Sequence, residues 1–440
     1  MTKVESAASL APCLRAWMPV LALAFLPVVI AQEAANPPSI ESAHDLGLFR
    51  DLHGMRNDLQ RHQYLVGLLP QLSTTDRITA LQLYAALDNE LGLYNEALRD
   101  FPFNNRNAPH VDLPQPDQWQ LADAADVVTR LAHGRRLVLI NEAHHDAHTR
   151  ELTLELLPRL RAEGFTHFAA EALTDDDPDL AQRGYPVNRT GSEYLHEPLY
   201  GQIIRRALQL GFIVVPYESE APSLSAREAE QARNLYRRVL RDNPGARLFV
   251  HGGYAHIDKA AGNLGGQVQP MAVVLKQLSG IDPLTVDQSR WRDIGDLAGD
   301  DAYTHLLSAY SPQRPSVLVR RDTGAAWSSD PLRHDVEVIL PPAGNQRRPR
   351  WLDLGGQRST RPISSDLCGR HLPCVVEARF SNESEDAIAA DRYTFLRPDI
   401  TASLYLWPGD YRLTAWSADG HVWTRRDFTV PPIHPDEAGH

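Results

Sequence analysis

The sequence predicts an α/β protein, with a mostly parallel sheet and flanking helices, a helical segment before it and a β-sandwich after it. Three observations carry this. Between about Leu121 and Gly355 short apolar runs alternate with segments of helical period, the pattern of parallel strands joined by helical crossovers. Ahead of that stretch the leucine and aromatic spacing is helical. Beyond it the helical period disappears and short strands separated by turn residues take over. The composition is that of a globular chain, with 440 residues, 43% hydrophobic and 23% charged. Its length suits two to four domains at roughly 100–200 residues each.

Residues 1–31 read as a secretory signal. Lys3 and Arg15 precede the apolar run Ala16–Ile30, and Val29-Ile30-Ala31 offers a cleavage site before Gln32. The run is shorter than the roughly 20 residues that a bilayer requires, and Pro19 and Pro27 interrupt it. No stable membrane span is therefore expected after cleavage, and the protein is expected in the periplasm or secreted. Cys13 leaves with the signal. Cys368 and Cys374 remain, and an oxidising compartment permits a disulfide between them.

Residues 32–120 form the expected helical region. Thr75 and Asp76 offer a cap, and Tyr84, Leu87, Leu91, Tyr94 and Leu98 recur at core spacing. Residues 121–355 form the expected α/β domain. Its strands are Arg136–Asn141, His167–Glu171, Phe212–Tyr217, Arg247–His251 and Leu284–Asp287. Its helices are Leu121–His133, Thr149–Ala162, Tyr194–Leu210, one opened by a Ser225/Glu228 capping box and running to about Asp242, and Met271–Leu278. Residues 356–440 form the expected β-sandwich, with strands Cys374–Phe380, Thr401–Trp407, Tyr411–Trp416 and Val422–Val430. Turns are expected at Pro408-Gly409 and Asp419-Gly420. Tyr405, Trp407, Trp416 and Trp423 read as core and edge packing in preference to a carbohydrate-binding face.

A net charge of −12 argues against a nucleic-acid partner, which needs clustered Lys and Arg. No phosphate loop is present, and Ser192, Ser219 and Ser225 lack a G-x-S-x-G context. The chemistry concentrates at strand ends. The first strand runs into Asn141-Glu142-Ala143-His144-His145, the second ends at Glu171, the third at Tyr217-Glu218 and the fourth at His251. In an open parallel sheet the crevice beyond the carboxyl ends is the ligand site, so these groups are delivered to one edge. Past the fourth strand, Gly252 and Gly253 permit close approach of backbone to a ligand, and His256 follows on the loop. Two chemistries are open. A histidine with a glutamate partner can deprotonate water; alternatively His144 or His145, Glu171 and His251 or His256 could hold a divalent metal, with His144, Glu171 and His256 the set favoured. Arg150 reads either as a clamp for a substrate oxygen or as an ion-pair partner of Glu151 or Glu155. Tyr217, Glu218 and His251 read as substrate-binding or supporting residues. The acidic runs Asp175–Asp179 and Asp293–Asp301 lack calcium-ligand spacing and read as solvated loops.

The segments LINEAHHDAHTREL, GFTHFAAEAL and RLFVHGGYAHI, in that order, resemble the superfamily that joins erythromycin esterases, ChaN-type haem-binding proteins and the TraB/Tiki proteins. The helix beginning Arg227-Glu228 is similar to the Arg-led helix before that family's last strand. The resemblance spans about Ala122 to Gln288 and implies site roles for Glu142, Glu171 and His256. The Glu-x-His form selects His144 and the Glu-x-x-His form selects His145. Asn141 stands where the family usually has glycine. The branches differ in activity, so the resemblance implies a hydrolase acting on an ester or amide, metal-assisted or not, or alternatively a non-catalytic haem- or iron-binding protein. A small-molecule or peptide substrate is the expected partner.

Overall fold

The computed structural model describes residues 47–103, 111–295, 300–344 and 346–433. The expected signal segment and the leader after it lie outside the described residues.

Four helices open the described chain: α1 (Leu48–His53), α2 (Asp58–Leu68), α3 (Thr74–Glu90) and α4 (Tyr94–Asp100). The cap of α3 is Ser73, whose side chain accepts from the Asp76 amide; Thr75, the expected cap, is already inside the first turn. The α/β part follows as β1 (Trp119–Asp123), α5 (Ala124–Ala132), β2 (Leu137–Glu142), α6 (Glu151–Ala162), β3 (His167–Ala170), α7 (Leu180–Arg183), α8 (Pro198–Gln209), β4 (Ile213–Pro216), α9 (Leu224–Leu235), β5 (Leu248–Gly253), α10 (Met271–Ser279), β6 (Leu284–Trp291), α11 (Ala302–Tyr310), β7 (Ser316–Arg320) and β8 (Val336–Ile339).

These eight strands form one sheet in the order β1-β7-β8-β6-β2-β5-β3-β4. β2, β3, β4, β5, β6 and β8 pair in parallel, whereas β7 runs against both of its neighbours. Every residue of β2 and β5 is buried, as a sheet covered on both faces requires. One apolar layer packs α5, α6 and α8 on one face through Val128, Leu156 and Ile203. The other face carries α9 and α10 through Leu235 and Leu275.

Three expected helices start elsewhere. Leu121 to Asp123 belong to β1, because the Asp123 side chain accepts from the Asp126 amide and so begins α5 at Ala124. The segment from Tyr194 breaks at Glu197, which is extended at φ −68° and ψ 128° ahead of Pro198. Its carboxylate then caps α8 by accepting from the Leu199 and Tyr200 amides. Ser223, not Ser225, caps α9, and Glu228 turns inward.

The C-terminal part contains β9 (Ser359–Ser364), β10 (Cys374–Phe380), β11 (Asp391–Phe395), β12 (Thr401–Leu406), β13 (Gly409–Ser417) and β14 (Val422–Val430). They form two antiparallel sheets, β11-β10-β13-β14 and β12-β9, which close on a shared core that includes Val376, Leu413, Leu404 and Ile363. Pro408-Gly409 therefore links strands of different sheets, while Asp419-Gly420 is a hairpin turn. Cys368 and Cys374 form a disulfide. Trp416 donates to Glu377 and Trp423 stacks on His371, so neither belongs to an open aromatic platform. Leu59, Leu91 and Leu93 of the helical segment enter the sandwich core. No helix among the described residues is long and apolar enough to cross a membrane.

Candidate functional site

The site forms at the carboxyl edge of β2, β3, β4 and β5, under the end of α3. Asn89 fixes the loop after β2 from above: its amide donates to the His144 carbonyl at 3.0 Å and its carbonyl oxygen accepts from the Ala147 amide at 3.0 Å. Asn141 keeps extended strand geometry and needs no left-handed turn; its side chain ties β2 to β6 by accepting from the Gln288 amide at 2.7 Å.

Glu142 is buried, with one oxygen on Arg150 Nε and the other 2.8 Å from His144 Nδ1. Burial opposes its ionisation, but Arg150, His144 and His251 outweigh burial and hold the carboxyl well below the usual carboxylate range. An ionised carboxylate only accepts, so His144 Nδ1 carries a proton and Nε2 is the ring nitrogen turned away from Glu142. That Nε2 is buried and has no hydrogen-bond partner among the described residues. Tyr194 lies flat against the His144 ring at 4.1 Å.

Glu171 stands beside it. Its Oε1 accepts from Arg227 Nη2 at 2.7 Å, and its Oε2 accepts from the Gly253 amide. Burial is again outweighed, here by His256, Arg227 and His144, which hold Glu171 ionised well below the usual range. His256 Nε2 is 3.3 Å from Glu171 Oε1, and its Nδ1 is 2.6 Å from Glu228 Oε1. Burial alone would push this imidazole down; the two carboxylates push it up to about 10.

These contacts answer the sequence expectations residue by residue. Glu142, His144, Glu171 and His256 come together. His145 does not: its Nδ1 meets the Tyr254 hydroxyl at 2.8 Å, its Nε2 meets Arg292 Nη2 at 3.1 Å, and Phe101 stacks on it at 3.5 Å. Burial and Arg292 keep His145 neutral. Arg150 is fully buried, and each of its three nitrogens donates within the protein, to Glu142, Glu197 and the His144 carbonyl; the expected clamp is an internal strut. Tyr217 is buried and donates to the His251 carbonyl at 3.1 Å. Burial holds His251 at about 4, with its Nε2 3.9 Å from Glu142. Glu218 is partly exposed and pairs with Arg227.

The expected metal set does not assemble. Both ring nitrogens of His256 face carboxylates, both oxygens of Glu171 are held by Arg227 and the Gly253 amide, and the ligand atoms of His144, Glu171 and His256 do not all gather within 4.8 Å of one another. For haem, His145 is held at both nitrogens, and His144 Nε2, the nitrogen that would face an iron, is buried.

A cleft of about 390 Å³ opens over Glu171, Glu218, Arg227 and Tyr194, with Leu52, Leu83, Leu87 and Glu90 as its opposite wall. Sequence reasoning passed over Glu228, Tyr194 and Glu90, and gave Arg227 no site role. The pair Arg227-Glu228 at a helix start was the available signal; Glu90 and Tyr194 come from segments whose approach only the tertiary fold creates.

No protein-family profile matches the chain, and no curated protein matches it. Among solved structures it is similar to the type III effector HopBA1, at 13% identity over 54% of this chain and 100% of that one, with a TM-score of 0.32. It is also similar to bacterial protein toxins, at 16% identity over 57% of this chain and 46% of that one, TM-score 0.27. A MARTX toxin effector domain from Vibrio vulnificus CMCP6, RRSP, stands at 16% identity, 57% of this chain and 45% of that one, TM-score 0.27. The chain spans less than half the length of the last two. Similarity at this level carries no inference about activity.

Proposed function

We propose that the protein is an exported hydrolase in which His144 activates water for attack on an ester or amide carbonyl. The Glu142–His144 pair carries this reading: the carboxylate fixes the Nδ1 proton at 2.8 Å and leaves a buried Nε2 lone pair with no partner among the described residues. The ionised Glu171, held by Arg227 and His256, lines the adjoining cleft and can orient the attacking water. The order of the three motifs supports a site at this sheet edge; the Glu-x-His form, as in the ChaN and Tiki branches, selects His144, whereas the esterase form selects His145. Export is proposed from the apolar leader and the Cys368–Cys374 disulfide, which an oxidising compartment preserves.

The test is an ester and amide panel on the mature protein and on His144→Gln and Glu142→Gln. Loss of general-base catalysis predicts a fall of about 10²–10⁴-fold in kcat for His144→Gln. His145→Gln, checked for native melting, should retain turnover. A His144→Gln protein that still hydrolyses at the wild-type rate overturns the mechanism.

A further inference from the structure

We infer that Glu90, supplied by the N-terminal helical segment, is the acid that protonates the leaving group in the hydrolysis proposed above; the inference rests on that reading. Glu90 ends α3 and lines the same cleft as Glu171, Tyr194 and Arg227. It is 2% exposed, and its Oε2 has no hydrogen-bond partner among the described residues. A buried carboxylate without a cation is strongly disfavoured and keeps its proton instead.

The neighbours of Glu90 explain why no cation serves it. The carboxyl groups of Glu90 and Asp58 and the ring of His196 bring ligand atoms within 4.8 Å of one another. Asp58 takes the positive charge of that corner: Arg61 donates to it at 2.8 Å, His196 Nδ1 lies at 3.0 Å and Arg392 donates at 3.2 Å. Burial, then Asp58 and Glu193, push Glu90 well above the usual carboxylate range, against partial opposition from Arg61 and Arg150. The spacing would suit a cation, but Arg61 and Arg392 already supply that charge. Both His196 nitrogens are committed as well, the second to the Asn188 carbonyl at 3.3 Å. A neutral carboxyl offers an O–H donor.

One cleft therefore holds two carboxyl groups whose surroundings drive them apart, Glu171 ionised and Glu90 protonated, which is how acid and base roles are separated. Tyr194 lines the same cleft, its ring lies on His144, and its buried hydroxyl has no hydrogen-bond partner among the described residues. In the step, His144 Nε2 takes a proton from water as the water oxygen bonds to the carbonyl carbon and the carbonyl π pair moves onto oxygen. Collapse reforms the carbonyl and breaks the bond to the leaving group, which departs with that electron pair and takes the Glu90 proton. The proton on His144 then returns through solvent to Glu90.

The test compares two esters of one acid, a p-nitrophenyl ester, whose leaving group needs no proton, and an alkyl ester, whose leaving group does. Glu90→Gln should lower kcat for the alkyl ester by about 10²–10⁴-fold and leave the p-nitrophenyl ester nearly unchanged. It should also remove the alkaline fall of the alkyl-ester pH profile. His144→Gln should lose both substrates. In the wild type, a leaving-group series should show little dependence of rate on leaving-group pKa, a readout independent of whether the variant folds. A steep wild-type dependence, or equal effects of Glu90→Gln on the two esters, overturns the acid assignment and leaves the base standing. Wild-type protein inert toward both esters, or His144→Gln active on both, overturns the underlying reading and the inference with it.

Discussion

Glu228 Oε1 lies 2.6 Å from His256 Nδ1, with both side chains completely buried. Glu228 sits in the second turn of α9, and its other oxygen accepts from the Met271 amide at 2.7 Å, so one carboxylate fastens α9, α10 and the loop after β5. Its charge, with that of Glu171, pushes the His256 imidazole up to about 10, and His256 with Arg227 keeps Glu171 ionised at the cleft floor.

The charge state of His256 makes folding stability depend on pH. The folded group titrates at about 10 against an ordinary 6.5, so protonation favours the native state. The stability it contributes is complete below about pH 6.5 and is lost as pH rises through about 10. Glu228→Gln should remove most of that slope, because Glu228 is the larger of its two carboxylate partners. It should also cost about 3–5 kcal/mol near neutrality, since it breaks a buried ion pair. Urea midpoints between pH 6 and 10 check both; an unaltered slope in the variant would place the cause elsewhere.

Arg150 predicts a stability effect where a substrate clamp would predict a KM effect. It bridges Glu142 and Glu197 with no exposure to solvent. Arg150→Met leaves two buried carboxylates facing each other without a cation, and we expect a loss of about 3–5 kcal/mol. Arg150→Lys should rescue little, because a single ammonium cannot reproduce the planar fork that spans both carboxylates. Thermal and urea unfolding of the pair measure this. A native midpoint in Arg150→Met, with only KM raised, would restore the clamp.

Much of the sheet was legible because its central strands are written as apolar runs ending in charge. Leu137–Glu142 and Leu248–Gly253 are buried on both faces and cannot be mistaken for surface segments. β7 and β8 escaped notice because each is a short run outside the helix–strand alternation, and β1 was absorbed into the helix it precedes. For the site, the sequence placed Glu142, Glu171, Glu218 and His251 at one edge, since a strand's end is a local property. The choice between His144 and His145 was not local. It depends on which ring meets Glu142 and which is wedged between Phe101 and Arg292, residues 44 and 147 positions from His145 in the chain. Glu90 and Tyr194 were invisible for the same reason.

The disulfide predicts a separation of stability from chemistry. Cys368 and Cys374 are six residues apart and close a small loop at the edge of the sandwich core. Loop entropy for a ring of this size gives about 2 kcal/mol. Cys368→Ala/Cys374→Ala should lower the urea midpoint accordingly, and mild reduction of the wild type should do the same. Hydrolysis below the midpoint should be unchanged, because neither cysteine lines the cleft. Lost turnover at native stability would tie the sandwich directly to the reaction.

Gly253 gives the sharpest steric test of the proposed base. Its φ of −75° is open to any residue, so a side chain there causes no backbone strain. The obstacle is the site itself. A Cβ on Gly253 would stand 2.5 Å from both Cε1 and Nε2 of His144 and 3.1 Å from Glu171 Oε2. Such contacts force the imidazole off the Glu142 carboxylate or push Glu171 from the Gly253 amide. Misplacement of a reacting group by about 1 Å costs on the order of 10²-fold in rate. Gly253→Ala should therefore lose about that factor in kcat. Its effect on folding should be the ordinary 1–3 kcal/mol of overpacking, about that of any added methylene in a full core. Gly252→Ala serves as the control, because its Cβ would meet the Tyr217 hydroxyl at 2.6 Å and come no nearer than 3.6 Å to Glu171 Oε2. If Gly253→Ala hydrolyses at the wild-type rate, His144 Nε2 is not where water is activated.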